Sequence, residues 1–192
     1  MEYDKLIEDI FSRHPSVQVS GFGPKSYKAG LDAMRGFDAQ LGSPWRKYRI
    51  IHVAGTNGKG SVSSMLASCL AASGMSVGLY TSPHLLDFRE RIKTVGPKGW
   101  EMVSKGYVQN FLEARPDEIE HLSFFEITTG LAFKWFADCK VDIAVIEVGL
   151  GGRLDSTNII DSELSVVTSI GLDHCALLGS TREQIASEKG GI

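Results

Sequence analysis

The sequence predicts an α/β fold, a parallel sheet flanked by helices, and three observations carry that prediction. Short β-rich runs alternate with segments of helical periodicity, the pattern of strand–helix–strand crossovers. One run, 142–148, is almost continuously apolar, as in a strand covered on both faces. The main glycine clusters, at 55–60, 149–152 and 171, follow strand ends, and parallel sheets take their ligands at the carboxyl ends of strands.

The elements follow in order. Leu6, Ile7, Ile10 and Phe11 share one face of a short helix over 2–13. A loop with Gly21, Gly23 and Pro24 leads to a second helix over 28–41, with Leu31, Met34, Phe37 and Leu41 as its apolar face. Gly42 and Pro44 end it. Residues 49–54 form the first strand and 61–73 a helix of small and apolar residues stopped by Gly74. A second strand covers 76–80. The stretch 81–99 reads as irregular. Helices follow at 104–114 and 124–139, the latter with Phe125, Leu131, Phe133 and Trp135. The third and fourth strands are 142–148 and 164–170. Strand ends at Ala54, Thr81, Val148 and Ile170 are expected to face one cleft. A helix begins at Thr181, and nothing after it closes the sheet before Ile192. An amino-terminal fragment of something longer is therefore expected.

Composition removes several function classes. With 23 acidic and 20 basic residues the net charge is −3, which leaves no electrostatic footprint for nucleic acid or an anionic membrane. A hydrophobic content of 43% and a mean hydropathy of −0.03 suit a packed core. No apolar run approaches the ~18 residues of a membrane span, and the charged amino terminus has no signal-peptide core. Cys69, Cys139 and Cys175 have no metal-type spacing and read as reduced thiols of a cytoplasmic protein.

The chemistry sits at the strand ends. Gly55, Thr56, Asn57, Gly58, Lys59, Gly60 and Ser61 lie between a strand and a helix, where backbone N–H groups and a helix amino terminus converge on phosphate oxygens. Lys59 supplies a cation for the β- and γ-phosphates and Ser61 a hydroxyl for Mg²⁺. The loop departs from G-x-x-x-x-G-K-[ST]: Val53 replaces the first glycine, and Gly60 intervenes before the serine. By itself it is also consistent with a tight glycine turn bearing a surface lysine, but its place between strand and helix favours phosphate. The fold is thus expected to be of P-loop nucleotide-binding type. Glu147 ends the apolar third strand, where a carboxylate can hold Mg²⁺ directly or through water. His174 and the Ser82-Pro83-His84-Leu85 turn follow two other strands. Each is a weak signal alone and a candidate metal or phosphate contact beside Glu147.

Together these residues resemble the folylpolyglutamate synthase and dihydrofolate synthase family, within the Mur ligase superfamily. The pieces are GTNGKGS at 55–61, TSPHL at 81–85, FFE at 124–126, EVGLGGRLDSTN at 147–158, GLDH at 171–174 and SEKGGI at 187–192. The first marks the superfamily, and EVGLGGRLDSTN the folate branch. The resemblance implies a Mur ligase-like central domain, incomplete. Residues 1–192 would be a truncated amino-terminal ATP-binding domain without the carboxyl-terminal glutamate-ligase domain. It implies ATP and Mg²⁺ as cofactors, with dihydropteroate or folate substrate and L-glutamate as partners. It further implies a monomer at full length and an inactive fragment. The family phosphorylates the substrate carboxylate, and the glutamate amine then attacks the acyl phosphate.

Residue by residue, the resemblance assigns Gly58, Lys59, Gly60 and Ser61 to ATP phosphates. It assigns Ser61, Ser82, Glu147 and His174 to Mg²⁺. Ser123, Phe124, Phe125 and Glu126, with Leu154, Asp155 and Ser156, match a pterin pocket, and Gly30, Leu31 and Asp32 are weaker candidates for it. Phe125 would stack and Asp155 would pair with the heterocycle, while one of the two phenylalanines is expected in the core. Lys189 matches the family's carbamylated lysine. Because it lies three residues from the last one, a disordered or uncarbamylated side chain is expected here. Gly190 stands where the family often has alanine; Ser156 stands where dihydrofolate synthases often have alanine, which leaves the folate form open. The alternatives are another Mur-type amide ligase and a non-catalytic nucleotide-binding module.

Overall fold

A computed structural model describes residues 2–14, 30–97 and 99–192. The expected Gly21, Gly23 and Pro24 loop and the first residues of the 28–41 helix lie outside them. Six strands form one sheet in the order β4-β3-β2-β5-β1-β6. They are β1 (Arg49–Ala54), β2 (Val77–Tyr80), β3 (Ile92–Gly96), β4 (Gly99–Met102), β5 (Ile143–Glu147) and β6 (Leu164–Val167). β5 pairs in parallel with β1 and β2, and β6 in parallel with β1. These are the four expected strands.

The expectation of an irregular stretch over 81–99 is corrected. β3 runs antiparallel to β2, and β4 antiparallel to β3, so the sheet is mixed rather than wholly parallel. Gly96 pairs with Gly99 across a two-residue connection. β4 gave no alternation to detect, because all four of its side chains are exposed at the sheet's edge.

Among the described residues the α-helices are α1 (Tyr3–Arg13), α2 (Asp32–Gln40), α3 (Lys59–Ala72), α4 (Lys105–Glu113), α5 (Pro116–Ile119), α6 (Phe124–Asp138), α7 (Cys175–Leu178) and α8 (Arg182–Lys189). None of the described helices is long and apolar enough to cross a membrane. Successive strand residues point to opposite faces, and this divides the core. Ile51, Val53, Val77, Leu79, Ile143 and Val145 face α3, through Val62, Leu66, Ala67 and Leu70. Ile50, Tyr80, Ala144 and Ile146 face a larger cluster containing Ile127, Leu131, Phe133 and Phe136 of α6. By the same alternation Glu147, two residues beyond Val145, turns toward α3 and the loop that precedes it.

Candidate active site at the strand ends

The phosphate loop is pinned to the end of β6. Thr56 N–H donates to Ser169 O at 2.8 Å, and Thr168 Oγ1 donates to Asn57 O at 2.8 Å. Gly55 is required: its φ is +148°, and a β-carbon there would lie 1.9 Å from Thr168 Oγ1. Gly58 caps α3 in the left-handed region and brings no side chain to the first-turn N–H groups. Those donors and the helix dipole therefore point into the cleft. Lys59 Nζ folds back to donate to Gly55 O at 3.2 Å and Thr56 O at 3.4 Å. Ser61 is exposed on the first turn of α3.

Glu147 is 3% exposed. Ser82 N–H donates to its Oε2 at 3.1 Å, and Oε2 lies 3.5 Å from where a β-carbon on Gly60 would sit. Burial lifts its pKa from the ordinary 4.5 to about 7, against the opposing pull of Ser82 N–H, Lys59 and Arg91. The carboxylate is short of compensating charge, and it faces the start of α3. That suits a hard divalent cation. Among the described residues no three His, Cys, Asp or Glu side chains converge into a metal cage. One buried carboxylate, bonded to Ser82 N–H and facing the start of α3, therefore fits Mg²⁺, which keeps water and phosphate oxygens in its own shell.

The expected disorder of Lys189 is corrected. It is 2% exposed at the end of α8, and its Nζ donates to Gly55 O at 3.0 Å, the same carbonyl that Lys59 contacts. Thr181 and Gln184 cap the start of α8 reciprocally. Arg153 N–H donates to Glu188 O at 2.8 Å, and Asn158 Nδ2 to Gly191 O at 2.9 Å. These bonds hold the last turn, so proximity to the final residue does not fray it. Burial and the nearby Lys59 lower the Lys189 pKa, while Asp173 and Asp155 oppose them.

His174 has φ +51° and precedes α7; its Nε2 lies 3.3 Å from Asp173 Oδ2. Burial, Lys189 and Lys59 lower its pKa against Asp173. Lys59 thus lowers the pKa of Glu147, His174 and Lys189 alike. Lys59, Glu147 and Lys189, from three separate segments, meet around one loop.

On the other side of Glu147, Phe125 is half-buried and its ring lies against Gly149. A β-carbon on Gly149 would approach Phe125 Cζ to 2.5 Å, so only glycine lets the ring lie there. Phe124 is the core partner, stacked on Phe11 with centroids 4.0 Å apart. Ser123 and Glu126 cap α6: Ser123 N–H donates to Glu126 Oε2 at 2.7 Å, and Glu126 N–H to Ser123 Oγ at 3.2 Å. Asp155 is buried and accepts from Leu150 N–H at 2.8 Å, Thr157 N–H at 3.0 Å and Thr157 Oγ1 at 2.5 Å. It closes its own loop, and burial raises its pKa. Leu154 is exposed and Ser156 half-buried. Leu31 turns inward, whereas Gly30 and Asp32 face solvent.

Sequence reasoning missed two groups beside this site. His52 Nε2 meets Thr157 Oγ1 at 2.8 Å, joining β1 to the Asp155 loop, and Arg91 is fully buried beside the Ser82 turn. A polar residue inside the apolar run Ile50-Ile51-His52-Val53 was a signal for the first. Nothing local marks the second.

Residues 53–192 match the model of the Mur ligase middle domain. The chain belongs to the Mur ligase family. This Mur ligase chain is 44% identical over 170 residues to a Bacillus subtilis dihydrofolate synthase/folylpolyglutamate synthase, covering 86% of the chain and 40% of the relative. The corresponding Escherichia coli protein is 42% identical over 171 residues, with 88% and 39% covered. Among solved structures, E. coli FolC in complex with DHPP and ADP superposes with a TM-score of 0.86 at 35% identity, covering 99% of this chain and 43% of that one. The apo form of L. casei FPGS gives 0.86 at 36% identity, with 100% and 46% covered. The chain therefore spans about two fifths of the length of the curated relatives it matches.

Proposed function

We propose that this chain carries the ATP-activating portion of an ATP-dependent ligase that adds L-glutamate to dihydropteroate or folyl substrates through an acyl phosphate. The observation that carries the reading is the buried carboxylate of Glu147, bonded to Ser82 N–H and facing Gly60 of a phosphate loop. A carboxylate at neutral pH is a poor acyl donor, so it must first gain a leaving group. The γ-phosphoryl group passes to the substrate carboxylate oxygen as the β–γ anhydride bond breaks and ADP leaves. The glutamate nitrogen then attacks the acyl carbon, the C–O bond breaks, and inorganic phosphate departs as nitrogen loses a proton.

The N–H groups of 55–60 and Lys59 hold the phosphates, and Ser61, Ser82, Glu147 and His174 are the groups that would hold Mg²⁺. When bound, Mg²⁺ polarises the transferring phosphoryl group. Lys189 adds either a cation or, once carbamylated, a second anionic ligand. Phe125 offers a stacking face for a flat pterin ring, and the Asp155 loop forms the wall beside it. The glutamate and adenine contacts would come from outside residues 1–192. The three cysteines are exposed free thiols, which suits a reducing, cytoplasmic compartment.

The test is a product assay on the natural protein. ADP and a new amide should form one to one, each requiring Mg²⁺, L-glutamate and dihydropteroate or a folate. ADP release indifferent to the pteroate or folyl substrate would overturn the reading.

A further inference from the structure

We propose that Arg91 is a positioning residue: it holds the Ser82 turn against Glu147 and thereby sets the cation affinity of the site. The proposal rests on the reading above and concerns a residue outside the family motifs. Arg91 closes a 3₁₀ turn, Phe88–Arg91, and is 1% exposed. Its carbonyl accepts from Thr81 N–H at 3.0 Å, and its Nε donates to His84 Nδ1 at 2.8 Å. One residue therefore grips the chain on both sides of Ser82-Pro83. Between those grips Ser82 N–H reaches Glu147 Oε2 at 3.1 Å.

The grip is itself anchored. The guanidinium carbon lies 5.2 Å from the ring centroid of Phe124, which is stacked on Phe11 in the core. The preceding residue holds the other half of the turn: Glu90 accepts from the N–H groups of Leu85, Leu86 and Asp87 at 2.8, 3.0 and 2.8 Å. The segment from Thr81 to Asp87 is thus fixed by two consecutive residues, through the Arg91 carbonyl and guanidinium and the Glu90 carboxylate. A buried guanidinium carries a desolvation cost that an apolar side chain of equal volume does not. In return it supplies a directed bond to His84 and a positive charge attracted to Glu147. Lysine keeps the charge but lacks the Nε donor and the planar fork, so charge and direction can be separated.

The experiment measures Mn²⁺ binding by electron paramagnetic resonance in the ADP-loaded natural protein, alongside the Mg²⁺ concentration giving half-maximal ligation. Arg91→Lys and His84→Ala should each weaken Mn²⁺ about tenfold and raise the Mg²⁺ requirement equally, and Arg91→Lys should keep ADP affinity and kcat at saturating Mg²⁺ within about twofold. His84→Asn, whose amide oxygen can accept in place of Nδ1, should recover most of the loss seen in His84→Ala. Unchanged Mn²⁺ affinity in Arg91→Lys, with loss in Glu147→Gln, would overturn the role of Arg91 alone. Unchanged affinity in Glu147→Gln would overturn the site reading and this proposal with it. Should Arg91→Lys fail to fold, the His84 pair decides: equal Mn²⁺ affinity in His84→Ala and His84→Asn refutes the grip.

Discussion

Replacing Glu147 by Gln should make the protein more stable at pH 8 while disabling its chemistry. The carboxylate is buried, and its folded-state pKa is raised from 4.5 to about 7. A raised acid favours folding only while protonated. Its contribution is full below pH 4.5 and is lost as pH rises through about 7, because the ionised form must then exist in the interior. Across that window the displacement is worth about 3 kcal/mol, a large share of the roughly 5–15 kcal/mol that holds a domain together. Glutamine keeps the volume and an oxygen for Ser82 N–H but cannot ionise. The assay is urea unfolding of both proteins from pH 4.5 to 8.5, without nucleotide and with a chelator. Groups remote from residue 147 titrate alike in the two, so the difference curve isolates Glu147 and the charges coupled to it. It should rise in favour of Glu147→Gln by up to about 3 kcal/mol. Curves that stay parallel would refute the claim that this carboxylate is strained by burial.

Phe125→Ala should weaken folate binding about tenfold in equilibrium titrations and leave ADP within twofold, whereas Phe124→Ala should cost roughly 3–5 kcal/mol of stability. Equal loss of both ligands in Phe125→Ala would assign that ring to the core. Intact-mass measurement in bicarbonate should detect one added CO₂ that Lys189→Arg abolishes, since burial favours the free amine that reacts; an unmodified wild-type chain would leave Lys189 a plain cation. Residues 1–192 alone should bind nucleotide weakly and form no dihydrofolate or folylpolyglutamate, because an unclosed site loses orientation and its low-dielectric surroundings. Robust ligation by that fragment would show the remaining part of its relatives to be dispensable.

The four parallel strands were legible because each is a β-rich run beside a helical pattern, and Ile143-Ala144-Val145-Ile146 has no competing reading. Glu147 was legible for the same reason, as an acid ending an apolar strand. Its direction needed only the two-residue alternation from Val145. The hairpin was lost because Gly99, Trp100, Glu101 and Met102 are all exposed, although Gly96-Pro97-Lys98-Gly99 was a turn signal. Ser123 and Glu126 carried an S-x-x-E capping signature that marks the start of α6. Lys189 and Arg91 were beyond local reasoning. Their burial depends on Gly55, on the Arg153–Glu188 pairing, and on His84 and Phe124, partners that only the folded chain brings near.

The most direct test follows oxygen. A folyl or pteroate substrate with its reacting carboxylate labelled by ¹⁸O is incubated with ATP, Mg²⁺, L-glutamate and the natural protein, and the released phosphate is weighed by mass spectrometry. Activation through an acyl phosphate requires one carboxylate oxygen to leave with phosphate for every amide formed. Labelled inorganic phosphate together with ADP is the predicted result. Unlabelled phosphate, or label in AMP, would contradict the account.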